Sequence, residues 1–492
     1  MVSLPKPTWL TLPGGRVFSN GVIYAVGGFL PQALGLLLLP IFTRYLSTRD
    51  FGVLSYTVML SSFFTMLGSL SIQTYIIRYY YDCKTAQEAR QLFGTVFLFI
   101  CFYNLALLGL AFLVLPFVFR MGNLQVPFYP YVEITLICTV IEVIGLIPLS
   151  YYRAKEQAVS YITLSLAMTF LNGGLSVYLV VGRDLGLLGR YYGQLLADGA
   201  LLLVYLAILA RIAEFRWNSR YIRKALTFCL PIVPAQFLAS FASLSDRAIL
   251  ERFVSLGELG LYSVGFGIAT VPTVVTTGIY SALQPYVCRL ASENKLDAGI
   301  QTIKRFYLLL IMGLMFGVIA LSEELVVVVT SPAFHESYKI TSLLVMSILL
   351  QAYLSNVPSL YLMAAGKTKY ESPVRFAGAL VGFVMLLVLI PRFGIYGAGL
   401  SALAAALVTL GGYHLALRRE SLVEWGFTRN VALMGAACAV GYGVRQIQTP
   451  FPVLTGAIKL CLVASLAAVA IWRESRSLKT PAQDLGLASA SE

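Results

Sequence analysis

Fourteen apolar runs, each long enough to cross a hydrocarbon core of about 30 Å at 1.5 Å per residue, take up most of this 492-residue chain. They fall near 17–43, 51–77, 92–118, 130–150, 157–181, 186–209, 222–248, 258–287, 303–321, 338–363, 372–390, 394–416, 427–446 and 452–472. Such runs predict helices, because a helix satisfies its own backbone N–H and C=O groups where no water can do so. The sequence therefore reads as an all-α integral membrane protein of about 14 transmembrane helices. A water-soluble globule is excluded: 58% of the residues are hydrophobic and 12% charged, more apolar surface than a chain of this length can hide from water. The first run is about 27 residues, longer than the roughly 7 to 15 of a signal-peptide core, and no small-residue cleavage site follows it. It is expected to remain as the first span.

The formal charge of +13 would suggest nucleic acid in a soluble protein, but these cations sit between apolar runs, where membrane topology concentrates them. No nucleic-acid role is expected. Alternate connections, together with both termini, hold about 25 of the 36 Lys and Arg residues, including Arg78, Lys84, Arg90, the cluster from Arg211 to Lys224, Arg418, Arg419 and Arg429. The opposite side holds about ten. Both termini are therefore expected in the cytoplasm, with an even number of spans. The seven cysteines are scattered singly, without C-x-x-C spacing, and define neither a disulfide framework nor a metal site. His335 and His414 are too isolated to ligate a metal, and there is no P-loop or Ser-His-Asp set.

The chain also repeats itself. Arg44, Ser47, Asp50, Gly52 and Ser55 recur 208 positions later as Arg252, Ser255, Glu258, Gly260 and Ser263, and the same offset carries Gly186-Leu-Leu-Gly189 onto Gly394-Ile-Tyr-Gly397. Each Ser-x-x-acid step has the form of a capping box for the helix that follows, each arginine suits a helix C-terminus, and each glycine permits close packing. Six spans precede the basic connection 211–224 and six follow it before two more are added. An even-numbered unit returns to its starting side, so the expected architecture is two parallel six-helix repeats with a C-terminal helix pair. The expected division is an N-lobe over 1–210, the connection 211–224, a C-lobe over 225–420, spans thirteen and fourteen over 421–476, and a cytoplasmic tail over 477–492.

With these features together, the chain resembles the polysaccharide and O-antigen flippases of the multidrug/oligosaccharidyl-lipid/polysaccharide exporter superfamily. The resemblance rests on L-L-L-P-I-F-T-R-Y-L-S-T-R-D-F-G at 37–52, D-R-A-I-L-E-R-F-V-S-L-G-E-L-G-L-Y-S at 246–263 and P-R-F-G-I-Y-G-A-G at 391–399. It implies a V-shaped two-lobe transporter working by alternating access, and no enzyme. The implied cargo is an undecaprenyl-pyrophosphate-linked oligosaccharide, in the cytoplasmic (inner) membrane of a bacterium, alongside other polysaccharide assembly proteins. No cofactor is implied, and coupling to H+ or Na+ is a candidate drive.

Such cargo needs a cationic site for its pyrophosphate and a polar path for its hydroxyls. Arg247 is the leading cation, with Arg78 and Arg289 at the cytoplasmic ends of spans two and eight; Arg16 has a similar place before span one. Each of these arginines is equally read as a helix-end anchor. Gln32 follows Pro31 and Gln236 is two residues past Pro234, so both lobes place a kink and an amide at similar depth, and Asn104, Asn172, Gln351 and Asn356 add further amides. Glu142 and Asp198 lie near the midplane, where a charge costs roughly 2.5 to 3.5 kcal/mol. These two, with Asp246, are the ion-coupling candidates; the alternative is a neutral carboxyl hydrogen-bonded between helices. Lys459 lies inside span fourteen, where it reads as lining a lipid-tail groove or as snorkelling outward, and the tyrosine clusters at span ends read as interfacial belts. A multidrug or cation antiporter on the same scaffold, and a membrane polymerase or ligase acting on lipid-linked glycans, are the competing readings.

Overall fold

A computed structural model of the chain describes residues 30–31, 33–231, 233–293, 295–420, 425–447 and 459. Gln32, Arg16, the cytoplasmic tail and nearly all of span fourteen lie outside the described residues. Every regular element among the described residues is helical: α1 (Ala33–Tyr45), α2 (Thr48–Ser69), α3 (Ile72–Tyr80), α4 (Ala86–Gly122), α5 (Glu133–Ala154), α6 (Ala158–Val177), α7 (Gly186–Ile212), α8 (Ser219–Cys229), α9 (Val233–Phe253), α10 (Leu256–Ser292), α11 (Leu296–Ala320), α12 (Ser322–Val329), α13 (Ser337–Ala364), α14 (Glu371–Phe393), α15 (Ile395–Glu420) and α16 (Phe427–Arg445). Ten helical segments among these are long and apolar enough to cross a membrane. Several helices overrun their apolar runs because their caps lie in the polar flanks: Thr85 accepts from the Glu88 N–H at the start of α4, and Asn123 ends it in a left-handed conformation.

Two spans that are continuous as apolar patterns are broken in space. Span two divides into α2 and α3 at Leu70 and Ser71, both at positive φ. Span seven divides into α8 and α9 around Pro231, where proline removes a backbone donor. The breaks meet: Ser71 Oγ donates to Gln236 Oε1 at 2.5 Å, and Asn104 Nδ2 donates to the Gly68 carbonyl at 3.0 Å near the end of α2. Neighbouring side chains thus satisfy backbone and hydroxyl groups that an unbroken helix would have left to itself.

By internal contacts the chain divides into two compact units, and the division falls inside α10. The first comprises Met1–Val264 with Val329–Phe334 and Ile390–Ile395. The second comprises Gly265–Val328, His335–Leu389 and Tyr396–Glu492. In the second, α11 packs between α13 and α16, and amide–phenol pairs fix the register: Asn356 Nδ2 donates to Tyr307 Oη at 2.5 Å and the buried Asn430 Nδ2 to Tyr353 Oη at 2.9 Å.

The first unit contains both copies of the repeated turn. Each is a capping box: Ser47 Oγ accepts from the Asp50 N–H while the Asp50 carboxylate accepts from the Ser47 N–H, and Ser255 and Glu258 do the same. The two helices so started, α2 and α10, meet at their glycines. A Cβ at Gly52 would fall inside 3.0 Å of the Leu256 carbonyl oxygen, and one at Gly260 inside 3.0 Å of the Thr48 carbonyl oxygen. Thr48 and Leu256 are 208 apart, as are the glycines, so the contact is reciprocal. A second exchange surrounds it. Thr43 Oγ1 accepts from the Ser331 N–H at 3.2 Å, while Glu251, 208 positions after Thr43, accepts from the Gln125 and Val126 N–H groups. Gly186 and Gly394 also share one backbone state, with φ of 53° and 55°. The repetition in sequence is therefore a local twofold in space.

A methyl group at either glycine must push two backbones apart. Gly52→Ala and Gly260→Ala are each expected to destabilise the protein by about 1–3 kcal/mol. Gly267→Ala, also in α10 but with nothing within 4 Å of its Cβ position, should be neutral or slightly stabilising. Thermal unfolding of the purified protein in detergent separates the three variants.

Candidate functional site

The first unit carries a ladder of polar side chains between α5, α6 and α7. Cys138 and Glu142 are one turn apart on α5, and Arg190, Gln194 and Asp198 follow at four-residue steps on α7, so each set lines one helix face. Gln194 Nε2 donates to Glu142 Oε1 at 3.3 Å, and Arg190 Nη1 donates to Ser176 Oγ of α6 at 3.1 Å and reaches Gln194 Oε1 at 3.5 Å. Asp198 is 4% exposed, with Cys138 and Gln194 against it, yet its Oδ2 has no hydrogen-bond partner. Hydroxyl pairs extend this polar seam onto α2: Thr57 with Tyr191 at 2.7 Å and Ser61 with Thr139 at 2.8 Å. Glu142 and Asp198 both sit near the middles of their helices, and the structure brings them together around Arg190. The guanidinium went unnoticed in sequence, although the spacing of positions 190, 194 and 198 on one face was there to be read.

Asp246, the third acidic candidate, lies elsewhere. Its Oδ1 is 3.4 Å from Arg247 Nη1, and its Oδ2 accepts from the Tyr262 hydroxyl of α10. Both charged side chains are nearly buried, at 12% and 11% exposure, so Arg247 is held in an ion pair within the first unit. Arg78 and Arg289 are exposed at the ends of α3 and α10, near Asp82 at 2.9 Å and Glu293 at 4.0 Å. Gln236 is taken up by Ser71, as described, and Asn172 is half-buried in α6.

Two further buried charges have structural partners. Glu251, 0% exposed, holds the 125–126 backbone, and Gln125 returns bonds to the carbonyls of Glu251 and Val254 at 2.6 and 2.8 Å. Sequence reading missed it; the signal was a third charge within six positions of Asp246. Lys459 has a partner after all: its Nζ is 2.6 Å from Glu324 Oε1 and donates to the Arg445 carbonyl at 2.9 Å. The tyrosines of 79–81 and 151–152 pack on one another and on Phe93 and Phe228 around a buried cluster, beyond any role at a membrane interface. Among the described residues no three His, Cys, Asp or Glu side chains converge as a metal site.

A family model described as polysaccharide biosynthesis protein matches residues 41–339, which include the repeated turns, the ladder and the Asp246–Arg247 pair. The chain belongs to that family. Its relatives include an uncharacterized membrane protein of Haemophilus influenzae, 25% identical over 280 residues, a match covering 55% of this chain and 65% of that protein, and thus just under two thirds of its length. The Lsg locus putative protein 1 of the same organism is 22% identical over 305 residues, covering 57% and 68%. The fold of this family member is similar to that of lipid II flippase MurJ in an inward closed conformation, with a TM-score of 0.72, 13% identity and coverage of 92% of this chain and 99% of that one. It is also similar to an inward-facing multidrug resistance MATE family transporter, with a TM-score of 0.64, 12% identity and coverage of 82% and 96%. The family member is a multi-pass membrane protein, with ten described helical segments long and apolar enough to cross a membrane and a fold similar to those of these two solved transport proteins.

If Tyr262 and Arg247 neutralise Asp246 as a unit, Asp246→Asn and Tyr262→Phe are coupled. A double-mutant cycle on unfolding in mixed detergent is expected to give an interaction energy of about 0.5–3 kcal/mol. Additive effects would separate the two groups.

Proposed function

We propose that the chain moves an undecaprenyl-pyrophosphate-linked oligosaccharide repeat unit from the cytoplasmic to the outer leaflet by alternating access, for polysaccharide biosynthesis, with both termini in the cytoplasm. The observation that carries this reading is membership of a polysaccharide biosynthesis family in a chain whose fold is that of a lipid II flippase. Arg78 and Arg289, exposed at helix ends on the side rich in Lys and Arg, are the proposed first contacts for the pyrophosphate. Arg247, Gln236 and Gln32 are proposed contacts further along the path.

The drive is proposed to be a proton exchanged at the α5–α7 ladder. The ladder holds two carboxyl groups and one guanidinium linked through Gln194, so the set is neutral when it holds one proton and carries a net negative charge when it holds none. A neutral state crosses low-dielectric surroundings at far less cost than a charged one.

Reconstituted proteoliposomes test both parts. Wild-type protein should translocate a fluorescent short-prenyl pyrophosphate-linked glycan faster under a pH gradient. Glu142→Gln and Asp198→Asn should each reduce the gradient-dependent rate at least ten-fold while leaving the protein folded. A gradient dependence unchanged in both variants contradicts the coupling. Transport of cationic dyes without any glycolipid movement favours the multidrug antiporter reading.

A further inference from the structure

The connection between α7 and α9 has a job that topology alone does not explain. At 11 residues, α8 is too short to span a bilayer, and its sides differ sharply. Ala225 and Cys229 are buried, with Tyr221 and Phe228 partly so, in the cluster that includes Tyr75, Ile76 and Phe93. This fastens the helix to α3 and α4. Arg220, Arg223 and Lys224 are exposed on another side, and Arg216 is exposed just before it. Among the described residues none of these four cations is in an ion pair. Between these sides runs an open groove of about 310 Å³, lined by Trp217, Ser219, Ile222, Arg223, Leu226, Thr227 and Leu230. Its volume lies at the lower end of ligand clefts, roughly 300–1,000 Å³. The lining is mainly apolar, and Trp217 and Leu230 are 54% exposed at its two ends.

We propose that this groove is a docking site for one anionic phospholipid, with a stretch of acyl chain along Ile222, Leu226 and Leu230 and the phosphate on Arg223, reinforced by Arg220 and Lys224. An apolar stripe beside a cluster of unpaired cations is the pattern of a helix lying in a membrane surface. Each basic group near an anionic leaflet contributes about 1 kcal/mol, and charge complementarity excludes zwitterionic lipid as the preferred occupant. Trp217 suits the headgroup level, where one edge of its ring is apolar and the other wet. The lipid thereby fixes α8, and with it the broken span that α9 continues, to the membrane surface. This site is independent of the cargo proposed for the transporter.

Native mass spectrometry of the full chain, delipidated in detergent and titrated with phosphatidylglycerol or phosphatidylcholine, tests the site. Wild type should retain one phosphatidylglycerol at least ten-fold more tightly than phosphatidylcholine. The triple variant R220Q/R223Q/K224Q should lose that preference, and Leu226→Asp should lose retention of both lipids. Equal affinity for the two lipids in wild type, or an unchanged preference in the triple variant, overturns the proposal. Should the variants fold poorly, wild type in nanodiscs gives a second readout: brominated phosphatidylglycerol should quench the fluorescence removed by Trp217→Phe more than brominated phosphatidylcholine does. Equal quenching by both overturns the proposal.

Discussion

Gly52 and Gly260 lack a Cβ, and on that absence the arrangement of the first unit depends. The first turns of α2 and α10 come together backbone to backbone, each glycine against the carbonyl that starts the other helix. Such a contact is short-ranged: any side chain at either position would hold the helices apart and disturb everything placed around them. The Thr43 and Glu251 exchanges ring the glycine contact, each gripping a connection from the other half of the repeat. The junction thus behaves as one cooperative latch of backbone contacts and buried hydrogen bonds.

The chain deals with its buried charges in two distinct ways. Asp246 has Arg247 and Tyr262, Glu251 has two backbone amides, and Lys459 has Glu324 and a carbonyl. In each case at least one strong partner offsets the desolvation of a group that would otherwise be prohibitive. The ladder between α5 and α7 differs. It is linked through Gln194, an amide that can serve either carboxyl, and it leaves Asp198 Oδ2 without a partner. Two carboxyls and a guanidinium linked through one amide at mid-helix depth make this cluster the candidate for a change of ionisation in the proposed cycle.

Much of this was legible in the residues. Apolar runs longer than a bilayer core leave little choice but helices, and the 208-residue offset is visible without coordinates because the paired turns need the same few side chains: a serine, an acid and a glycine. Glu142 and Asp198 stood out because a carboxyl in an apolar run is costly. What escaped were features created by tertiary contact. The left-handed residues Leu70 and Ser71 carry no glycine or proline to announce them, and their break is stable because Gln236 and Asn104 arrive from other helices. Arg190 was hidden by its place near a span end, where an arginine usually anchors to the interface. The partner of Lys459 lies 135 positions away, in a short helix whose acidic first turn looks like a loop. Charge pairing across that distance cannot be read from local pattern.

The cargo proposed for the chain has a charged head, a hydrophilic body and a long apolar tail. The most direct measurement is leaflet-resolved detection of lipid-linked oligosaccharide in cells from which the protein has been deleted. The account predicts accumulation of single repeat units on the cytoplasmic leaflet, with polysaccharide at the surface lost. Repeat units appearing in normal amounts on the outer leaflet, or fully polymerised glycan exported as before, would contradict it.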